Sequence, residues 1–211
     1  MFQLTDVRYK NILDIPSLDI PPGKITCIIG ESGSGKTTLL RLLNQLISQS
    51  QGRIIFADQD VLDINPVELR RQVVMLPQDP FIFPGSIEDN LQVGLRLTDR
   101  PLASPKELQR VLELVHLRIE LAAGAAKLSG GEKQRLGLAR VILMEPKVYL
   151  LDEPSAALDE DTEDLVIRAI TGHVQESGQT LIMVTHSKRI AREYGQLILE
   201  LSKGNVIREE V

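Results

Sequence analysis

Disulfides, long apolar runs and basic excess are all missing from this chain, and each absence removes a class of protein. A single cysteine, Cys27, cannot form an intramolecular disulfide framework. It sits inside the apolar run ITCIIG, where it reads as a small buried hydrophobe, so a reducing compartment is expected. No apolar run approaches the roughly 18–20 residues of a membrane-spanning helix, and the opening MFQLTDVRYK is not a secretory signal. Lysine and arginine number 24 against 29 aspartate and glutamate, a net charge of −5 that weighs against a general nucleic-acid surface. Repeats, low-complexity tracts and linkers are absent too, and 211 residues suffice for one domain with a full core. The expectation is a soluble, cytosolic chain with no nucleic-acid partner. Work at a membrane would need a partner to hold it there.

What is present alternates between two periods. FQLTDVRY and IPSLDI read as early strands before the PPGK turn, and ITCIIG as a buried strand of the parallel kind, ended by Gly30. TTLLRLLNQLI has helical spacing that puts Leu39, Leu42, Leu43 and Leu46 on one stripe. GRIIFADQDV reads as strand and turn, NPVELRRQ as a short helix, and VVMLPQ as a buried strand. From about Asp79 to Lys127 the pattern is helical, clearest in PKELQRVLELVHL, with no strand-like run. A helix in SGGEKQRLGLARVIL, a strand in KVYLLDE, a helix in DEDTEDLVIRAITGHV, a strand in TLIMVTH, a helix in KRIAREYG and a hairpin around KGN complete the chain. Alternating strands and helices predict an α/β domain with a mainly parallel core sheet, whose ligands sit beyond the carboxyl ends of its strands.

Two stretches carry phosphate chemistry. GESGSGKT, Gly30 to Thr37, matches GxxxxGK(S/T) between a buried strand and an apolar helix. Gly30, Gly33 and Gly35 let the backbone fold around phosphate, Lys36 would reach the β- and γ-phosphates, and the Thr37 hydroxyl would ligate Mg²⁺. VYLLDE ends a buried strand on Asp152 and Glu153, where an unpaired acid would be costly. Asp152 is the natural partner for Mg²⁺ held by Thr37, and Glu153 could orient or polarise the attacking water. A third stretch, LSGGEKQR, contains a capping box in Ser129 to Glu132. Its two glycines leave amides bare at a helix N-terminus, so the same end suits an anion.

In this order the residues resemble the nucleotide-binding domain of ATP-binding cassette (ABC) proteins over essentially the whole chain. GESGSGKT resembles the Walker A loop, Gln78 in LPQDP the Q-loop, LSGGEKQR the signature and VYLLDE Walker B. Asp159 in SAALD resembles the D-loop, and His186 in VTHS the switch histidine. The resemblance implies a P-loop NTPase fold with an N-terminal antiparallel β part and a helical subdomain, about residues 79–133, inserted in a single domain spanning residues 1–211. It implies that Gly30, Glu31, Ser32, Gly33, Ser34, Gly35, Lys36, Thr37 and Thr38 hold ATP, with Tyr9 stacking on adenine and Thr37, Gln78 and Asp152 around Mg²⁺. Lys36, Gln78, Glu153 and His186 would carry hydrolysis.

The resemblance also implies head-to-tail pairing with a second cassette, read as a homodimer. Ser129, Gly130, Gly131 and Asp159 would then close over the partner's nucleotide. The expected partner is a multi-spanning permease, which would hold the chain at the inner face of the cell membrane. Phe81, Ile82 and Phe83 follow the Q-loop where family cassettes receive a coupling helix, although packing within the helical subdomain would account for them equally. The segment LAAGAAK lacks the acidic, glycine-flanked run of large fused exporters. Compact bacterial cassettes, including the iron- or metal-export type, are the better likeness. The competing reading is a soluble ABC ATPase acting on an assembly, such as iron–sulfur cluster biogenesis.

Overall fold

The computed structural model describes residues 1–210, with side chains described through Ile207. In chain order the elements are β1 (Phe2–Tyr9), β2 (Leu13–Ile20), β3 (Ile25–Gly30), α1 (Lys36–Leu43), β4 (Gln51–Phe56), β5 (Gln59–Asp60), α2 (Pro66–Gln72) and β6 (Val73–Leu76). They continue with α3 (Ile87–Leu97), α4 (Pro105–Leu114), α5 (Gly130–Leu143), β7 (Val148–Asp152), α6 (Glu160–Ser177), β8 (Thr180–Val184), α7 (Lys188–Tyr194), β9 (Leu197–Ser202) and β10 (Asn205–Glu210). Val211, the last residue of the expected closing hairpin, lies outside the described residues.

Two sheets sandwich α1. The first is antiparallel in the order β2-β1-β4-β5, and the second runs β10-β9-β3-β8-β7-β6, parallel except for its β10–β9 edge. Period-two alternation divides the second sheet's residues cleanly. Val148 and Leu150 of β7 and Ile182 and Val184 of β8 face α1 and the first sheet, packing with Phe2, Leu4, Leu39 and Leu42. Tyr149, Leu151, Leu181 and Met183 face the other way, into a core shared with α3, α4, α5 and α6. Cys27 lies in that second core, fully buried, and burial pushes its thiol up to about 12.

Because α1 is covered on both sides, it buries Leu39, Leu40, Leu42 and Leu43 rather than a single stripe. The expected stripe through Leu46 is corrected here. The helix stops at Leu43, Gln45 turns into the left-handed region at φ 54°, and Leu46 is 53% exposed. The stretch before α3 is also not helical, and Ser86 forms an isolated bridge with Gly124. Between β6 and β7 the helices α3 and α4 pack on α5, with no β-strand element intervening among the described residues.

Candidate nucleotide site

β3 ends at Gly30, and α1 begins at Lys36 on an N-cap, Gly35, that makes no side-chain capping bond. Gly35 has φ 106°, a conformation that demands glycine, and a Cβ there would also press on Leu13 Cδ2 at 2.6 Å. The first amides of α1 are therefore left for a ligand, at the helix end that favours negative charge. Lys36 Nζ donates to the carbonyls of Gly30 and Glu31, each at 2.8 Å, which folds the ammonium into the loop. Burial lowers its pKa, and the carboxylates of Glu153 and Asp152 oppose that shift. The Ser34 hydroxyl, 4% exposed, has no hydrogen-bond partner among the described residues.

The alternation along β7 turns Asp152 toward α1, where Thr37 Oγ1 donates to Asp152 Oδ1 at 3.1 Å. Burial holds the Asp152 carboxyl above the ordinary carboxylate range, partly offset by that hydrogen bond. One residue on, Glu153 adopts φ 50°, and its N–H donates to Val184 O at 3.1 Å. This turns its side chain to the strand ends. There Glu153 Oε1 lies 2.7 Å from His186 Nε2, and Oε2 accepts from Gln78 Nε2 at 3.0 Å. Three residues from three separate strand ends thus meet at one carboxylate. Together with Ser32, Gly33, Gly35, Lys36, Thr37 and Thr38 they line a cavity of about 350 Å³.

The remaining expected residues lie elsewhere. Ser129 caps α5, accepting from Glu132 N at 3.3 Å, while Glu132 Oε2 accepts from Ser129 N at 2.8 Å. Asp159 caps α6, accepting from Thr162 N at 3.0 Å. Neither of these caps nor Gly130 and Gly131 borders the cavity that the phosphate loop borders. Tyr9 ends β1 half-buried, with Lys10 Nζ 5.2 Å from its ring centroid, and it too lies off the cavity wall. Ile12, in the turn after it, is on the wall instead and went unnoticed in the sequence, although an isoleucine in a polar turn, here 40% exposed, was a signal. Phe81 is 67% exposed and stacks edge-on against Phe83, whereas Ile82 packs on the core. Phe83 itself is pinned by Asn90, which bonds both its N–H and its carbonyl at 2.9 Å.

Residues 13–156 match the family model for ABC transporters. Protein STAR1 of Oryza sativa subsp. japonica is 37% identical over 204 residues, covering 96% of this chain but 59% of its own length. Among solved structures, the ATP-binding cassette MJ0796, dimeric in a post-hydrolysis state and bound to ADP and Pi, superposes with a TM-score of 0.88 at 28% identity, covering 100% of this chain and 98% of that one. A bacterial Atm1-family ABC exporter with ATP bound gives a TM-score of 0.90 at 27% identity, and there this chain, 99% covered, spans only 38% of its neighbour. With an open helix N-terminus, a Thr–Asp pair and a shared carboxylate gathered at the strand ends, and with these likenesses reaching across both sheets, the chain belongs to the ABC transporter family, as one of its ATP-binding cassettes.

Proposed function

We propose that this cassette binds ATP with Mg²⁺, hydrolyses it in a head-to-tail pair with a second copy, and so drives a solute through a separate membrane permease. The observation that carries the proposal is Glu153, held between His186 and Gln78 at the mouth of a phosphate loop. The residues fit both groups. The open amides of α1 and the unpartnered Ser34 hydroxyl suit phosphate oxygens. Thr37 and Asp152 offer one hydroxyl and one carboxylate, the sparse donor set that Mg²⁺ uses when substrate phosphates complete its shell. When bound, Mg²⁺ supplies positive charge beside the phosphates.

The loop amides and Lys36 bind the β- and γ-phosphates and stabilise charge developing on them. Glu153 orients the attacking water and takes up its proton, with His186 and Gln78 holding the carboxylate in place. Ser129, Gly130 and Gly131, which do not border their own chain's cavity, serve the nucleotide of the partner. The dimeric state of MJ0796 supports that arrangement. Loss of the γ-phosphate then removes the anion both halves grip, and the pair opens.

We further read residues 79–133 as a helical subdomain inserted in the one domain, supported by α3 and α4 packed on α5. Its exposed Phe81 is offered to the permease, which holds the cassette at the cytoplasmic face of the membrane. The iron- or metal-export subtype rests on the sequence likeness alone. The test is to tag the Glu153→Gln variant, trap it with ATP and Mg²⁺ in cells, solubilise it and identify what co-purifies. A multi-spanning membrane protein is expected. A soluble scaffold, or a second copy of this chain alone, would move the assignment to a clamp ATPase acting on an assembly.

A further inference from the structure

We infer that Gln134 is a positioning residue for hydrolysis, tying the signature end of α5 to the backbone of Glu153 in the same chain. The inference rests on the proposed function above. Gln134 is 2% exposed, and a buried amide needs a partner. Its Nε2 donates to the Glu153 carbonyl at 3.2 Å. The same carbonyl accepts from Ala156 N at 3.2 Å, so it is doubly bonded.

Those bonds hold a residue in an unusual state. Glu153 has φ 50°, in the left-handed region that disfavours a residue with a side chain, so its neighbours must hold it there. Its N–H is fixed by β8 through Val184, its carbonyl by its own turn and by Gln134, and its carboxylate by Gln78 and His186. Gln134 alone among these comes from α5.

The start of α5 is seated on the same segment. A Cβ at Gly131 would lie 3.0 Å from both Ala157 O and Leu158 Cδ2, so the helix start already touches the stretch that follows Glu153. Gln134 lies three residues after Gly131 and four after Gly130, so it neighbours each of them on the helix surface. The end of α5 offered to one nucleotide and the residue serving the other are therefore linked through Gln134 and the Glu153 backbone. Closure of the partner on Ser129–Gly131 sets the orientation of this chain's own Glu153.

Gln134→Met keeps the length and removes the donor. The expected result is a fall in kcat for ATP hydrolysis of about 10-fold or more, with ATP affinity close to wild type, as loss of an interaction felt only in the transition state requires. Placed on Glu153→Gln, the same substitution should cause no further loss of residual turnover, since both act through one group. Wild-type kcat in Gln134→Met overturns the inference. So does a further loss on the Glu153→Gln background, or a parallel loss of ATP affinity, either of which marks a general structural role. If Gln134→Met does not fold, Gln134→Asn applies the same criterion, because its amide is one methylene too short to reach the carbonyl. Wild-type protein without ATP turnover would sink the proposed function itself, whereas turnover that ignores Gln134 sinks only this inference.

Discussion

Replacing Glu153 with glutamine exchanges one oxygen for an NH₂ and changes almost nothing of shape, which makes its cost calculable. The carboxylate accepts from Gln78 at 3.0 Å and lies 2.7 Å from His186. An amide keeps one oxygen for His186, and the exposed Gln78 can rotate its own amide to offer an oxygen in return. The resting structure should lose no more than about 1 kcal/mol, one neutral hydrogen bond's worth. Binding should be spared, because Glu153 makes no bond to the loop, and removing its charge leaves the site less repulsive to phosphate. With Glu153 as the proposed base, proton uptake from water should be lost. General base catalysis is worth about 10²–10⁴-fold, or about 3–5 kcal/mol at 1.36 kcal/mol per decade. Steady-state phosphate release at saturating ATP should fall by that factor, while gel filtration with ATP reveals a lasting dimer. Turnover close to wild type would refute the role of Glu153, and a matching loss of ATP affinity would show that the residue builds the site instead of working in it.

Three further outcomes are expected. Burial holds the folded-state pKa of Asp152 above its unfolded value of about 3.9, so the stability of the neutral acid is present below that value and is lost as pH rises through the folded pKa. Asp152→Asn should therefore raise the Tm of nucleotide-free protein near neutral pH while abolishing Mg²⁺-dependent turnover; a lower Tm in a melting scan would contradict the linkage. Ser129→Arg removes a cap worth about 1 kcal/mol and fills the bare end of α5, so ATP-dependent dimerisation should vanish in gel filtration while ATP binding to the monomer persists. Phe81→Glu, at a position 67% exposed, should leave Tm and ATP affinity unchanged but strip the permease from a pull-down, and misfolding would mean that Phe81 is core after all.

The sequence was most legible where a residue's role is local. Glycines before Lys36, the Ser129 capping box and the five-residue run ending at Asp152 each follow from neighbours along the chain, and the structure has each of them. Legibility failed where burial is decided from outside. Leu46 fits the helical stripe, yet the chain turns at Gln45 and Leu40 is buried within the sandwich. Phe81 and Phe83 look alike in sequence, and only the bonds from Asn90 to the Phe83 backbone and the packing of the segment distinguish the two residues. Gln134 reads as one more polar helix residue until Glu153 is found against it. The left-handed backbone of Glu153 leaves no trace in residue type, because glutamate has no preference for it.

The pairing of β7 with β8 acts as a ruler. Asp152 pairs with Val184, and Glu153 N bonds Val184 O, so the separation of acid from histidine is set by the interstrand spacing of about 4.8 Å before any side chain is chosen. Loops that enter these strands can lengthen or shorten without disturbing that measure. A single inserted residue inside β8 cannot, since it would carry His186 out of step and present the wrong faces of the strand to both cores. Drift in this protein is therefore tolerated by the length of its connections and forbidden by the count within two five-residue strands.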